Sequence, residues 1–252
     1  MANVGRKWIA PVVIAAAFAA SAIAYTRLPS LVTLPAEALL PFDVPDNAEP
    51  APRWLAAFLV PITSVLIWLG FRFAPTNRAQ RVGRWFFRNA PPEATSAEQF
   101  ERFGKTYETI VLGVVALILG VHAGLLTAVF QRPVAAARVI GVTLALFMIF
   151  VGNVMPRLRA NWVAGLRTKR LLADPDLWRT THRVFGAALV LSGLVTLIVT
   201  AVAPAFALLI GAALILVSCI VAFAATMRAV PRAPTVVAAL AAVAASIQRG
   251  MT

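Results

Sequence analysis

The residues of this chain that are most able to do chemistry are its two histidines, His122 and His182. An imidazole ring can exchange a proton near neutral pH and can bind transition metals. His122 stands alone in a run of apolar and small residues, where an ionisable group is costly and marks a candidate site. A metal site would need several ligands, and beyond the histidines the chain offers one cysteine, Cys219. We therefore expect no metal ion, and we expect a neutral His122 hydrogen-bonded to another helix.

The sequence motifs of common catalytic sites are absent from the chain. It has no Walker phosphate-binding loop, no His-Glu-x-x-His and no Gly-x-Ser-x-Gly. Its apolar runs also lack the paired carboxylates that proton-coupled carriers use. This inventory argues against a hydrolase and against a pump. It predicts a protein that is not an enzyme and that binds no cofactor.

The stretch from Gly152 to Gly186 is the most distinctive part of the chain. It reads GNVMPRLRANWVAGLRTKRLLADPDLWRTTHRVFG. Pro156 should end the helix before it, because proline cannot donate a backbone hydrogen bond. Asn153 and Asn161 offer side-chain amides that can hold irregular backbone. The composition therefore predicts a loop with a defined shape.

A long helix should follow this loop. Asp174 is a favourable N-cap and Pro175 a favourable first helical residue. Trp178, His182 and Gly186 follow at intervals of four and so share one helix face. We expect Trp178 and His182 to pack back against the loop, where Gly186 would permit close approach.

Two interpretations of the polar side chains in this stretch stay open. In the first, Trp178, His182, Asn161 and Arg167 form one polar cluster that holds the loop. In the second, they are separate anchors in the membrane interface, for which the amphipathic character of Trp, His and Arg is sufficient. The first interpretation predicts that His182→Ala destabilises the loop.

The elements that must position these residues are membrane-spanning helices. Hydrophobic residues make up 60% of the chain and charged residues 13%, and the mean hydropathy is +0.83. Soluble domains are about half apolar and one-quarter charged, so this much apolar surface needs lipid to cover it. Apolar runs of about 20 residues cross a bilayer. Six such runs occupy residues 9–25, 54–73, 109–130, 134–154, 184–202 and 205–226.

The positive charges lie between these runs and predict an orientation. Of the 23 lysines and arginines, 19 lie before the first run, from Arg72 to Lys105, from Arg157 to Arg183, or in the tail. The positive-inside rule then predicts an all-α bundle of about six transmembrane helices with both termini in the cytoplasm. This orientation brings His122 and His182 toward opposite membrane surfaces. The net charge of +13 is therefore a topology signal, and we expect no direct contact with nucleic acid.

The chain divides into three parts on this scheme. Residues 1–130 hold three helices and an extracytoplasmic loop at 27–53. Residues 131–228 hold three more helices and a structured cytoplasmic loop at 155–183, and residues 229–252 form an alanine-rich interfacial tail. The first apolar run could instead be a cleaved secretory signal, because basic residues precede it and small residues end it. We expect it to be retained as a span.

The second loop and the third run carry further patterns. Cations and aromatics alternate at 81–88, which favours a segment lying among lipid headgroups over a docking face for a cytosolic partner. Thr95 followed by Glu98 is a capping box and predicts a helix that runs on into the third span. Gly113, Gly120 and Gly124 recur there at helical spacing and permit close helix approach. We expect these glycines to pack inside the bundle, with contact to another chain as the alternative.

The stretch from 152 to 186 resembles the signature of the SdpI family of bacterial membrane proteins. Where family members usually continue Arg-Thr-Pro-Trp, this chain has Arg167, Thr168, Lys169 and Arg170. The matching positions are Gly152, Asn153, Pro156, Asn161, Gly165, Arg167, Thr168, Trp178, Thr181, His182, Arg183 and Gly186.

The resemblance implies a multi-pass protein of the bacterial inner membrane with a role in immunity. In this family a producer cell is protected from a secreted toxic peptide, and a member can signal by holding a transcriptional repressor at the membrane. The expected partners are membrane lipids, a toxic peptide at the outer loops and a cytosolic regulator at the fourth loop. Two other functions stay open. A structural accessory subunit would pack its loops and glycines against a larger membrane complex, and a small-solute carrier would need a polar mid-membrane cavity around His122.

Overall fold

The computed structural model of the chain describes residues 4–33, 50–73, 97–130, 132–158 and 165–228. Two short strands, β1 (Leu31–Val32) and β2 (Ala51–Pro52), pair in antiparallel fashion, and two 3-10 turns occupy Met155–Arg157 and Pro204–Phe206. The described α-helices are α1 (Val4–Tyr25), α2 (Arg53–Phe73), α3 (Ala97–Val129), α4 (Pro133–Val154), α5 (Lys169–Ala173), α6 (Pro175–Val202) and α7 (Ala207–Arg228).

Six of these helices, all except the short α5, are long and apolar enough to cross a membrane. This confirms the all-α fold class and the six spans. Two of the helices begin more than two turns before their apolar runs: α3 at Ala97 and α6 at Pro175. The apolar pattern marks only the part of a helix that lies in hydrocarbon. The 28 residues of α6 extend about 42 Å, so this helix projects beyond a core of about 30 Å.

The helices run up and down between two ends of the bundle. At the strand end, β1 and β2 join α1 to α2, and Leu28, Val32, Ala57 and Val129 form a small apolar cluster. At the loop end, residues 155–174 connect α4 to α6. The helix α3 contacts α1, α2 and α4, whereas α4 also contacts α6 and α7. The central positions of α3 and α4 therefore join the amino-terminal helices to the carboxy-terminal ones.

The outer surface of the bundle is apolar. Large hydrophobic side chains are exposed on α1, α2, α4, α6 and α7, for example Val12 at 63%, Leu66 at 62% and Ile198 at 64%. A soluble protein would not leave such a continuous apolar surface in water. The surface fits the acyl chains of a bilayer, and the chain is a multi-pass membrane protein.

The glycines of α3 pack inside the bundle, as expected. An added Cβ at Gly113, Gly120 or Gly124 would collide with a side chain of α4, namely Phe150, Thr143 or Ile140 respectively. The absence of a side chain at these positions brings the backbones of α3 and α4 together. The chain uses the glycine pattern for its own helix packing.

The helices α6 and α7 form a hairpin held by hydroxyl groups. The turn at Pro204–Phe206 reverses the chain, and the buried hydroxyls of Ser192 and Ser218 lie 2.9 Å apart. Nearer the loop end, the buried hydroxyls of Thr181 and Thr226 lie 3.1 Å apart. Between lipid-embedded helices, such bonds supply directional attraction that apolar contact alone does not.

We expect the Thr181–Thr226 pair to stabilise the hairpin by about 0.6 kcal/mol of coupling energy. A double-mutant cycle of Thr181→Val and Thr226→Val, read from unfolding in mixed micelles, measures this coupling. Thr180→Val is the matched control, because Thr180 is exposed on the same turn of α6. Strict additivity of the two single variants would contradict the prediction.

Several sequence predictions fall outside the described residues. These are the headgroup segment at 81–88, residues 34–49 of the first loop and the tail at 229–252. The described ends of the first loop are regular, because β1 and β2 pair there. For the capping box, Thr95 lies outside the described residues, and α3 begins two positions later, at Ala97.

Candidate functional site

The loop between α4 and α6 is shaped by local stop and start signals. The helix α4 ends at Val154, and Pro156 lies in the 3-10 turn that follows, as expected for a residue without a backbone donor. Thr168 caps α5, because its hydroxyl oxygen accepts a hydrogen bond from the Leu171 N–H at 3.1 Å. These signals turn the chain back toward the bundle.

Asp174 begins α6 as predicted. One of its carboxylate oxygens accepts hydrogen bonds from the N–H groups of Asp176 at 2.9 Å and Leu177 at 3.0 Å. Pro175 occupies the first helical position, where its missing N–H costs nothing. From this cap the helix runs without interruption to Val202.

His182 lies fully buried between α6 and the loop. Its Nδ1 is 2.9 Å from the carbonyl oxygen of Trp178, and its Nε2 accepts the Leu166 N–H at 3.2 Å. A carbonyl oxygen can only accept and a backbone N–H can only donate, so the proton must be on Nδ1. The ring is therefore a neutral imidazole that ties the loop to the helix.

Trp178 makes the second connection to the loop. Its indole N–H donates to the carbonyl oxygen of Leu158 at 2.8 Å. The ring also stacks on His182, with ring centroids 4.0 Å apart and planes inclined by 20°. One face of α6 therefore holds the loop on both sides of residues 159–164. We call this arrangement the loop clamp: Leu158, Gly165, Leu166, Trp178 and His182.

Gly165 allows the loop to approach the His182 ring. Its φ of +95° lies in the left-handed region that glycine tolerates best. An added Cβ would collide with Nε2 of His182. The sequence predicted a close approach at Gly186, whose neighbours are Gly152 and Pro156 and not the His182 ring. Gly165 is one of the positions that match the SdpI signature. The types of the residues beside it in the sequence do not predict its backbone conformation.

Gly186 instead packs against α4. A Cβ added there would lie 2.5 Å from the carbonyl oxygen of Gly152 and 3.0 Å from Cδ of Pro156. A Cβ added to Gly152 would likewise lie 2.7 Å from the Gly186 carbonyl oxygen. The backbones of α4 and α6 therefore touch without intervening side chains, one turn beyond His182.

Apolar side chains join the loop to the bundle core. Leu158, Leu171 and Leu172 are buried in the same cluster as Ala10 and Ile14 of α1. The loop thus packs against helices from both halves of the chain. Burial of this kind contributes about 1.5–3 kcal/mol for each fully buried large apolar side chain, so the loop is held by packing as well as by the clamp.

The structure supports the cluster interpretation for two of the four polar residues. Trp178 and His182 are buried together and act as one unit, as the cluster interpretation predicts. Arg167 is exposed, and Asn161 lies outside the described residues. The partners of the two rings are backbone groups of Leu158 and Leu166, which the sequence analysis missed. A backbone group can form a hydrogen bond whatever its side chain, so the residue type does not predict such a partner.

The exposed surface of the loop end is basic. Arg157, Arg167 and Arg179 are exposed around the clamp, and Arg179 lies 3.6 Å from the Asp176 carboxylate. This exposed pair contributes little to stability. Asn153 and Arg183, two further motif residues, are exposed beside the α4–α6 contact.

His122 lies in a separate environment toward the strand end. Its Nε2 is 2.8 Å from the hydroxyl oxygen of Ser21 in α1, and both residues are buried. The expected hydrogen bond to another helix is therefore confirmed. Its Nδ1 has no partner among the described residues. The two histidines lie in different halves of the bundle and do not share a site.

We expect Gly165→Ala to loosen the clamp. The added methyl group requires both an unfavourable left-handed backbone and a shift of the His182 ring, which together cost about 2–3 kcal/mol. Hydrogen–deuterium exchange at Leu166 measures the result and should accelerate. The control is Gly70→Ala, since a Cβ there meets nothing within 4 Å. Unchanged exchange at Leu166 would show that the loop does not depend on this contact.

A comparison with protein-family models finds one match. Residues 157–230 match the SdpI/YfhL protein family. The matched region begins in the clamped loop and continues through α6 and α7, and it contains Trp178 and His182. No curated protein and no solved structure matches the chain. The family match confirms the resemblance drawn from the motif, and the chain is a multi-pass membrane protein whose second half contains a region that matches the SdpI/YfhL protein family.

Proposed function

We propose that this chain is a non-enzymatic immunity and signalling protein of the bacterial inner membrane. In this proposal the loop end faces the cytoplasm and holds a regulator protein, and the strand end meets a toxic peptide outside the cell. The observation that carries the proposal is the loop clamp. A loop that only connected two helices would not need two buried aromatic rings to hold its backbone.

The clamp makes the loop end a preorganised docking surface. His182 and Trp178 hold the loop backbone on the side that faces α6. A partner that binds the exposed side of the loop then loses less conformational entropy, because the loop is already ordered. That side carries Arg157, Arg167 and Arg179. Such a basic surface attracts an acidic face on a soluble partner and repels basic ones. A cytosolic regulator with an acidic docking face therefore fits it.

The helix α6 connects the loop end to the strand end and could transmit a displacement between them. It runs from the clamp to the turn at Pro204–Phe206 and packs against α4 at Gly152 and Gly186. A peptide that displaced the strand end of α6 would therefore move residues of the clamp. The proposal therefore assigns to α6 the coupling of the two binding events.

The test combines gentle purification with site-specific photocrosslinking. A photoreactive residue at position 179 is compared with one at position 31, which is exposed at the strand end. We expect a soluble regulator to crosslink at position 179 and a small secreted peptide at position 31. Stoichiometric recovery of a large membrane complex, with no such adducts, would favour the structural accessory subunit.

The immunity part of the proposal has its own test. A strain lacking this gene is exposed to culture supernatant of its parent strain, and survival is counted. We expect the deletion strain to lose viability and the intact gene to restore it. Equal survival of both strains would contradict immunity and would leave signalling to be judged by the crosslinks.

A further inference from the structure

A lipid-facing groove runs along the contact between α4 and α6 at the loop end. It has a volume of about 440 Å³ and is open to the outside, and no residue of α7 lines it. Helix α4 contributes its last turn, the 3-10 turn contributes Pro156, and α6 contributes residues between Arg183 and Leu194. The lining residues are Gly152, Asn153, Pro156, Arg183, Gly186, Ala187, Val190, Leu191 and Leu194.

The glycine contact creates this groove. Where two helices touch through Gly152 and Gly186, no side chain fills the space beside the contact line. Ala187 next to it is small and exposed. The result is a furrow in the outer surface that the other large exposed side chains of α6 do not fill.

The part of the groove nearer the strand end is apolar and suits an acyl chain. Leu191 and Leu194 are exposed at 65% and 46%, and they follow Ala187 at helical spacing on the same face of α6. In a membrane this face contacts lipid tails. A chain lying in the groove would bury apolar surface on both helices.

The part of the groove nearer the loop end is polar and lies at the depth of the lipid headgroups. The 20 residues from Arg183 to Val202 extend about 30 Å, the thickness of the hydrocarbon core, so the guanidinium reaches the interface. Asn153 stands opposite on α4. One of its amide hydrogens donates to the carbonyl oxygen of Ile149 at 2.8 Å, which leaves the other free to donate outward.

We propose that this groove binds one anionic glycerophospholipid. The phosphate accepts hydrogen bonds from Arg183 and Asn153, and one acyl chain lies over Ala187 and Leu191. Arginine suits this role because its planar fork matches phosphate oxygens in a bidentate arrangement. No described carboxylate pairs with Arg183, whereas the neighbouring Arg179 pairs with Asp176. The charge therefore favours an anionic lipid, and the proposal stands independently of the proposed function.

Native mass spectrometry of the delipidated full-length protein in detergent tests this proposal. Phosphatidylglycerol and phosphatidylcholine with identical acyl chains are titrated in parallel. We expect one tightly bound phosphatidylglycerol, with about tenfold preference over phosphatidylcholine. Arg183→Gln should abolish that preference. Ala187→Phe fills the groove and should weaken the binding of both lipids.

Matched controls separate this site from general lipid adhesion. Arg228→Gln removes the same charge from α7 at the loop end, and Ala212→Phe adds the same ring to an exposed position on α7. Neither residue lines the groove, so both controls should bind lipid like the wild type. Retained preference in Arg183→Gln, or equal losses in a control and its partner variant, would overturn the proposal. An unaltered melting temperature shows that each variant is folded.

Discussion

His182→Ala is expected to release the loop from α6 while the six spans stay assembled. The substitution removes the acceptor of the Leu166 N–H, the donor to the Trp178 carbonyl and the ring on which Trp178 stacks. It also leaves a cavity in a buried site. These losses together cost about 2–4 kcal/mol, since a buried N–H without a partner is penalised in addition to the lost packing.

Limited proteolysis of the protein in detergent measures this effect without reference to membrane orientation. Trypsin should cleave the loop of the variant much faster than that of the wild type, because basic residues occur in the loop on both sides of 159–164. Thr180→Ala, an exposed neighbour on the same helix, should retain wild-type protection. Unchanged protection in His182→Ala would mean that packing of Leu158, Leu171 and Leu172 holds the loop alone.

Gly186→Leu is expected to have the largest effect on stability. Its Cβ alone would lie 2.5 Å from the Gly152 carbonyl oxygen, and the next nearest atoms belong to the Pro156 ring, so no change of a flexible rotamer can make room. The helices α4 and α6 must then separate, which breaks the packing that positions the clamp. We expect a loss of about 4 kcal/mol or more, within the range of severe core substitutions.

The measurement for Gly186→Leu is the yield of monodisperse protein together with its melting temperature. Gly70→Leu is the matched control, because a Cβ added at Gly70 has no neighbour within 4 Å. We expect the control to behave like the wild type. A Gly186→Leu variant that melts normally would show that α4 and α6 can repack at little cost.

The two variants distinguish the loop from the bundle. If the proposed docking surface acts through its shape, His182→Ala loses the crosslink at position 179 while the protein remains in the membrane. Gly186→Leu should lose the docking surface, the lipid groove and much of the folded protein together. Comparison of the two therefore separates a defect in binding from a defect in assembly.

The spans could be predicted from the sequence because lipid imposes a simple requirement. Each crossing needs about 20 apolar residues, and that pattern is local. The starts of α3 and α6 could not be predicted from the apolar pattern, because the part of a helix outside the bilayer does not need to be apolar. At α6 the cap at Asp174 and Pro175 supplied the missing signal, and the structure confirms it.

The candidate site was partly visible in the sequence. Trp178 and His182 were identified because aromatic and polar types stand at intervals of four on one helix. Their partners were not identified, because Leu158 and Leu166 contribute only backbone atoms. For a related reason the sequence predicted a close approach at Gly186 but not the one between Gly165 and His182. Both are glycines near the same histidine, and only the path of the loop distinguishes them.

The sequence by itself determined that this protein is a bundle of six membrane-spanning helices, with an SdpI-like loop followed by a helix capped at Asp174. These features follow from composition, helical period and short-range hydrogen bonds, which depend on neighbouring residues. Only the tertiary structure decided that His182 closes on Leu166, that Gly186 meets Gly152, and that a groove opens beside them. These contacts join residues distant in sequence, and their geometry depends on how whole helices pack.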